Sequence, residues 1–135
     1  MASLLWPEAS IEELRDELNT FLNGQPAATL PSTVLVSCDA TGALTGFIEV
    51  ALRSHADGCD TAQPVGFIEG WYVHEHLRHQ GIGRALVHAA EEWSRQQGCR
   101  EMASDTWIDH EDSQLAHQAI GFEVVDRCVH FRKVL

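Results

Sequence analysis

The chain has 135 residues and a formal net charge of −11 at pH 7, and Lys133 is its only lysine. That length predicts one domain, residues 1–135, with a core of its own, and so few cations exclude nucleic acid as a partner. An acidic surface concentrates cations and suits a cationic ligand, although acidity for solubility alone leaves the same signature.

In chain order, Ser10 and Glu13 form a capping box for a helix that carries Ile11, Leu14, Leu18, Phe21 and Leu22 on one face and stops at Gly24. Pro26 and Pro31 hold a loop. Residues 33–38 read as a strand, 39–42 as a turn, 43–53 as a second strand and 54–64 as a polar loop. The strongly apolar VGFIEGWYV predicts a third strand at 65–73. A helix is expected over 83–97, with Leu86, Ala89, Ala90 and Trp93 on one face and Gly98 at its end. A strand at 100–107, a short helix at 109–121 closed by Gly121, and one or two strands within 122–135 complete an α/β domain with a mixed sheet. Cys38, Cys59, Cys99 and Cys128 form no CxxC pair, and no signal peptide precedes them. They read as reduced thiols of a cytoplasmic protein. No apolar run approaches the ~20 residues a membrane helix needs.

The junction between the third strand and the following helix reads Arg78-His79-Gln80-Gly81-Ile82-Gly83-Arg84-Ala85-Leu86. A helix N-terminus offers unpaired N–H groups and a partial positive charge. Glycines there let bare backbone approach an anion, and Arg78 and Arg84 add charge-assisted contacts. The segment from Arg78 through His79, Gln80, Gly81, Ile82 and Gly83 to Arg84 is thus the expected cradle of a pyrophosphate. A dinucleotide fingerprint would need a third glycine where Leu86 stands. A P-loop would need Lys and Ser or Thr where Arg84 and Ala85 stand.

An apolar strand, RxxGxGxxL and then a helix resemble the GCN5-related N-acetyltransferase (GNAT) superfamily. LWPEAS, DGCD, FIEGWYV, GCREMASDT, AHQAIGFE and the RK-containing end resemble its aminoglycoside 6′-N-acetyltransferase branch. The resemblance implies a mixed, mostly antiparallel sheet flanked by helices, acetyl-CoA as acetyl donor, and no metal. It also implies that backbone N–H groups around Trp71, Tyr72 and Val73 meet the pantetheine and the thioester carbonyl. Similar chains begin some way before LWP, so the usual first strand is expected to be missing. Similar enzymes are often dimers, which makes a homodimer the expectation.

Acetyl transfer to an amine requires a held thioester, a neutral amine and a stabilised departing thiolate. Glu69 stands inside an apolar strand, where an unpaired charge is expensive. By alternation it shares a face with Phe67 and Trp71. The resemblance makes Glu69 the general base, acting directly or through water, or the anchor of the acceptor amine; a salt-bridged glutamate is the bland alternative. Asp105 and Asp126 are implied to bind substrate amines, against a cap and a turn as their plain readings. Trp6 is implied to line the antibiotic pocket, or else staples the first helix. His117 stands where many superfamily members carry a tyrosine near the thiol. It either protonates the thiolate, hydrogen-bonds the sulfur, or simply packs. His130 reads as a packing residue, Glu49 as solvated, and His74, His76 and His79 as solvated loop histidines, since nothing nearby completes a zinc set. Cys99 and Cys128 are weak choices for a covalent mechanism. The expected activity is acetylation of an aminoglycoside 6′-amine in a ternary complex. Acetylation of a polyamine or other small amine, and a non-catalytic acetyl-CoA or aminoglycoside-binding module, are the alternatives.

Overall fold

The computed structural model describes residues 30–135; the helix expected at 10–24 and Trp6 lie outside them. In order, the elements are β1 (Ser32–Cys38), β2 (Leu44–Arg53), β3 (Val65–Val73), a 3-10 turn (Glu75–Leu77), α1 (Ile82–Gln96), β4 (Met102–Ser104) and α2 (Glu111–Ala119). The strands form one four-stranded sheet in the order β1-β2-β3-β4. β1 with β2 and β2 with β3 are antiparallel, and β4 joins β3 in parallel.

The first hairpin closes because the Asp39 carboxylate accepts the backbone N–H groups of Thr41 and Ala43 and the Thr41 hydroxyl, while Gly42 takes the left-handed φ of 84°. These bonds, the Thr41 hydroxyl first, hold the Asp39 carboxyl below its ordinary value.

Directly paired residues point to one side of a sheet. Val50 pairs with Ile68 and Ile48 with Trp71. Ile48, Val50, Ile68 and Val73 form the core with Leu86, Val87 and Ala90 of α1, and Trp71 packs against it. Phe47 with Tyr72 and Ala51 with Phe67 point the other way. The buried stripe of α1 is Leu86, Val87, Ala90 and Ser94. Ala89, expected to face inward, is exposed, because the helix contacts the sheet about one residue position round from the predicted stripe. Ser94 is 1% exposed, and its hydroxyl donates to the Ala90 carbonyl at 2.8 Å. It closes over Gly66, where any Cβ would collide with it.

Two expectations about strands need correction. The strand expected at 100–107 shrinks to Met102–Ser104, because β4 pairs β3 only from Gly66 to Ile68 before the two part. Residues 122–135 form no strand. The segment reads apolar, but β4 offers it only a three-residue neighbour, and a strand without a partner ladder is not stable. Val125, Val129, Phe131 and Val134 remain exposed, Phe131 at 93%. His130, expected to pack, is exposed with them.

Candidate active site

The site begins where β3 and β4 part. The register of β3 slips there: Gly70 faces Glu49 and Ile68 faces Val50, so Glu69 is an extra residue in its strand. Such a bulge reverses the alternation beyond it. Glu69 and Phe67 therefore share a side, while Trp71 turns to the α1 side. This corrects the expectation that all three share one face.

Glu69 is charge-paired. Arg53 donates Nε to Oε1 at 3.0 Å and Nη2 to Oε2 at 2.9 Å. The guanidinium also lies 3.5 Å above the Phe67 ring centroid. Both oxygens keep a lone pair for a further donor. Nothing in the local sequence names Arg53; it reaches Glu69 only through the β2–β3 register.

On the other side of β3 the cradle segment takes shape. Gly81 caps α1 with φ 89° and ψ 0°, a conformation that Cβ-bearing residues avoid. His79 is also left-handed, at φ 64°. A Cβ on Gly81 would meet nothing within 4 Å, whereas one on Gly83 would come 3.2 Å from Trp71 Cζ2. Gly81 serves the backbone turn, and Gly83 serves close approach. The Arg78 Nε donates to the Val73 carbonyl at 2.9 Å, and its guanidinium lies 5.5 Å from the Tyr72 ring. Arg84 Nη2 donates to the Ala119 carbonyl at 3.2 Å, joining the start of α1 to the end of α2. Between them lies a cleft of about 340 Å³ lined by Trp71, His79, Gly81, Gly83, Arg84, Ala116 and Ile120. Gln80 and Ile82 stand on either side of the capping glycine, and Tyr72 and Val73 are buried at the end of β3.

Trp71 packs against the core. It lines the cleft, and its buried Nε1–H finds no acceptor among the described residues. An unpartnered buried donor in a cleft awaits a ligand acceptor or water. The cleft thus offers an anion site at a helix N-terminus, apolar walls and an orphaned donor.

His117 sits behind Trp71. Their ring centroids are 5.3 Å apart, edge to face, and the Phe122 ring also meets His117 edge to face at 5.5 Å. Its Nδ1 lies 2.7 Å from the Ser113 carbonyl and its Nε2 2.8 Å from the Ser104 hydroxyl. Ser104 is a second residue that the sequence does not single out.

Asp105 follows β4 directly and is exposed at the parting of the strands. Asp126 is exposed in the C-terminal segment and accepts the Arg127 N–H. The polar loop at 54–64 meets the start of β4 and the C-terminal segment: the Asp60 N–H donates to Glu101 at 2.7 Å, and Gly58 abuts the Val125 side chain. Burial, reinforced by Glu101, pushes the Cys59 thiol up, and burial does the same to Cys99. Raised thiols make poor nucleophiles. His74 and His76 stack at 5.7 Å, and among the described residues no group of His, Cys, Asp and Glu could hold a metal.

The chain matches the model of the acetyltransferase (GNAT) family over residues 1–122. It is 43% identical over 131 residues to the aminoglycoside N(6′)-acetyltransferase type 1 of Klebsiella aerogenes, spanning 97% of this chain and 84% of that one. Against the enzyme of the same name from Stenotrophomonas maltophilia it is 41% identical over 133 residues, or 97% and 81% of the two chains. Its fold is similar to that of AAC(6′)-Iy in complex with the bisubstrate analog CoA-S-monomethyl-acetylneamine, with a TM-score of 0.83 at 32% identity over 100% of this chain and 88% of that one. It is also similar to AAC(6′)-Ih from Acinetobacter baumannii, with a TM-score of 0.82 at 30% identity over 99% and 87%. The FIEGWYV strand, the glycine cradle and the parted β3 and β4 are thus the frame of a member of the acetyltransferase (GNAT) family, to which this chain belongs.

Proposed function

We propose that this protein transfers the acetyl group of acetyl-CoA to the 6′-amine of aminoglycoside antibiotics, directly and in a ternary complex. The observation that carries the reading is the Trp71–Gly81–Gly83 cleft in a chain 43% identical to an aminoglycoside N(6′)-acetyltransferase. The N–H groups at the start of α1 and the side chains of Arg78 and Arg84 hold the pyrophosphate, with His79, Gln80 and Ile82 completing the turn. The backbone of Tyr72 and Val73 aligns the pantetheine arm and polarises the thioester carbonyl.

Glu69 takes the proton that the acceptor amine must lose, directly or through water. The Arg53 fork leaves its carboxylate oriented and still able to accept. Asp105 and Asp126, with Trp6, bind the remaining ammonium groups and sugar face of the acceptor. His117 serves the departing sulfur. Residues 1–135 act as a single domain. The exposed apolar residues of the C-terminal segment support a homodimer, and the reduced cysteines support a cytoplasmic setting. No helix among the described residues is long and apolar enough to cross a membrane.

Purified protein mixed with acetyl-CoA and kanamycin, tobramycin or amikacin should release free thiol, and a polyamine acceptor should release much less. Absence of thiol release with every 6′-amino acceptor refutes the proposal.

A further inference from the structure

Two hydrogen bonds decide which nitrogen of His117 can exchange a proton. Nδ1 lies 2.7 Å from the Ser113 carbonyl oxygen. A carbonyl only accepts, so Nδ1 carries a hydrogen in the neutral ring and in the imidazolium alike. The Ser113 hydroxyl, at 3.5 Å, is too distant to change that assignment. Nε2 is therefore the nitrogen that gains and loses the proton, and the atom it meets is Ser104 Oγ at 2.8 Å. The ring also meets Trp71 and Phe122 edge to face, at 5.3 and 5.5 Å between centroids.

Ser104 is the last residue of β4 and pairs with Ile68, immediately before the Glu69 bulge. It therefore stands at the point where the two strands part. Trp71, which touches the His117 ring, is itself a wall of the cleft. The Ser104 hydroxyl is thus bonded to a proton-exchanging nitrogen at the parting of the strands, and that nitrogen's ring touches a wall of the cleft.

We infer that Ser104 is a further residue of the transfer machinery, and that the proton His117 delivers to the departing sulfur passes through the Ser104 hydroxyl. The inference rests on the acetyl-transfer reading above. As the carbon–sulfur bond of the thioester breaks, its electron pair leaves on sulfur. The Ser104 O–H gives its proton to that sulfur, and the imidazolium Nε2–H restores the hydroxyl. The ring ends neutral. The acceptor nitrogen sheds one proton on acetylation, through Glu69 to solvent, so one proton is gained and one lost per turnover.

The test compares Ser104→Thr with Ser104→Val, which have the same shape and differ in the hydroxyl. Thiol release should stay within about threefold of the parent for threonine and fall roughly tenfold or more in kcat for valine. KM for the acceptor and calorimetric Kd for CoA should move less than about twofold. Ser104→Val combined with His117→Gln should be about as slow as His117→Gln alone, because the pair acts as one unit. Melting curves and the CoA titration establish that each variant folds, and Ser104→Ala replaces valine if that variant does not. Equal turnover of the parent and the hydroxyl-free variant overturns the inference, as do losses that multiply in the double variant. Failure of the parent to release thiol with any 6′-amino acceptor overturns the acetyl-transfer reading instead, so the two failures are distinct.

Discussion

A single additional residue in β3 decides whether Trp71 shares the side of Glu69. Without the slip between Glu49 and Val50, strict alternation would hold and Glu69 would share its side with Trp71. With it, the carboxylate keeps the side of Arg53 and Phe67, while Trp71 turns to the cleft. The anomaly of a charge in FIEGWYV is legible in the sequence. The bulge and the partner are not, because Arg53 stands sixteen residues away and is brought near only by strand pairing. The Ser104–His117 bond is hidden for the same reason, since its partners come from β4 and α2. Glu69→Gln should lower kcat by about a hundredfold and leave the Kd for CoA unchanged in calorimetry; undiminished turnover removes Glu69 from the chemistry. The Arg53–Glu69 pair has side-chain exposures of 44% and 31%, so its contribution to stability is small. Arg53→Gln should change unfolding free energy by less than about 1 kcal/mol in urea titrations. A loss above about 3 kcal/mol would make the pair a structural element of the sheet rather than an orienting device.

At the scale of elements, β1, β2, β3, α1 and α2 lie within a few residues of where periodicity and turn residues put them. Each carries its own signal: alternation, an Asp-Ala-Thr-Gly turn, or an apolar helical stripe closed by glycine. The length of β4 and the conformation after Phe122 were not legible, since how far an apolar stretch stays a strand depends on a neighbour elsewhere in the chain. The glycine turn at the start of α1 was legible because a glycine pair between a strand and a helix has few uses. Its two glycines differ in kind, and two substitutions separate them. Gly81→Ala meets open space but a forbidden φ, so it should cost about 1 kcal/mol of stability in thermal or urea unfolding. Gly83→Ala puts its Cβ 3.2 Å from Trp71, so it should displace the indole and weaken CoA binding about tenfold or more by calorimetry. Unaltered CoA affinity in Gly83→Ala would mean that the cleft beside Trp71 is not the binding site.

For the whole molecule, the net charge of −11 and the exposed C-terminal apolar residues act on different partners. An acidic protein attracts a polycationic acceptor over distances that salt screens. KM for the aminoglycoside should therefore rise several-fold between low and high ionic strength, whereas kcat stays nearly constant. Phe131, at 93% exposure, would be covered in the proposed homodimer. Phe131→Ser should shift sedimentation toward the monomer, and a parent already monomeric at assay concentration contradicts the homodimer. The central claim concerns which nitrogen is acetylated. It is tested most directly by measuring acetyl-CoA-dependent thiol release with two aminoglycosides that differ only in carrying an amine or a hydroxyl at the 6′ carbon. Rapid release with the amine and little with the hydroxyl is the predicted result; equal rates with both, or none with either, would contradict it.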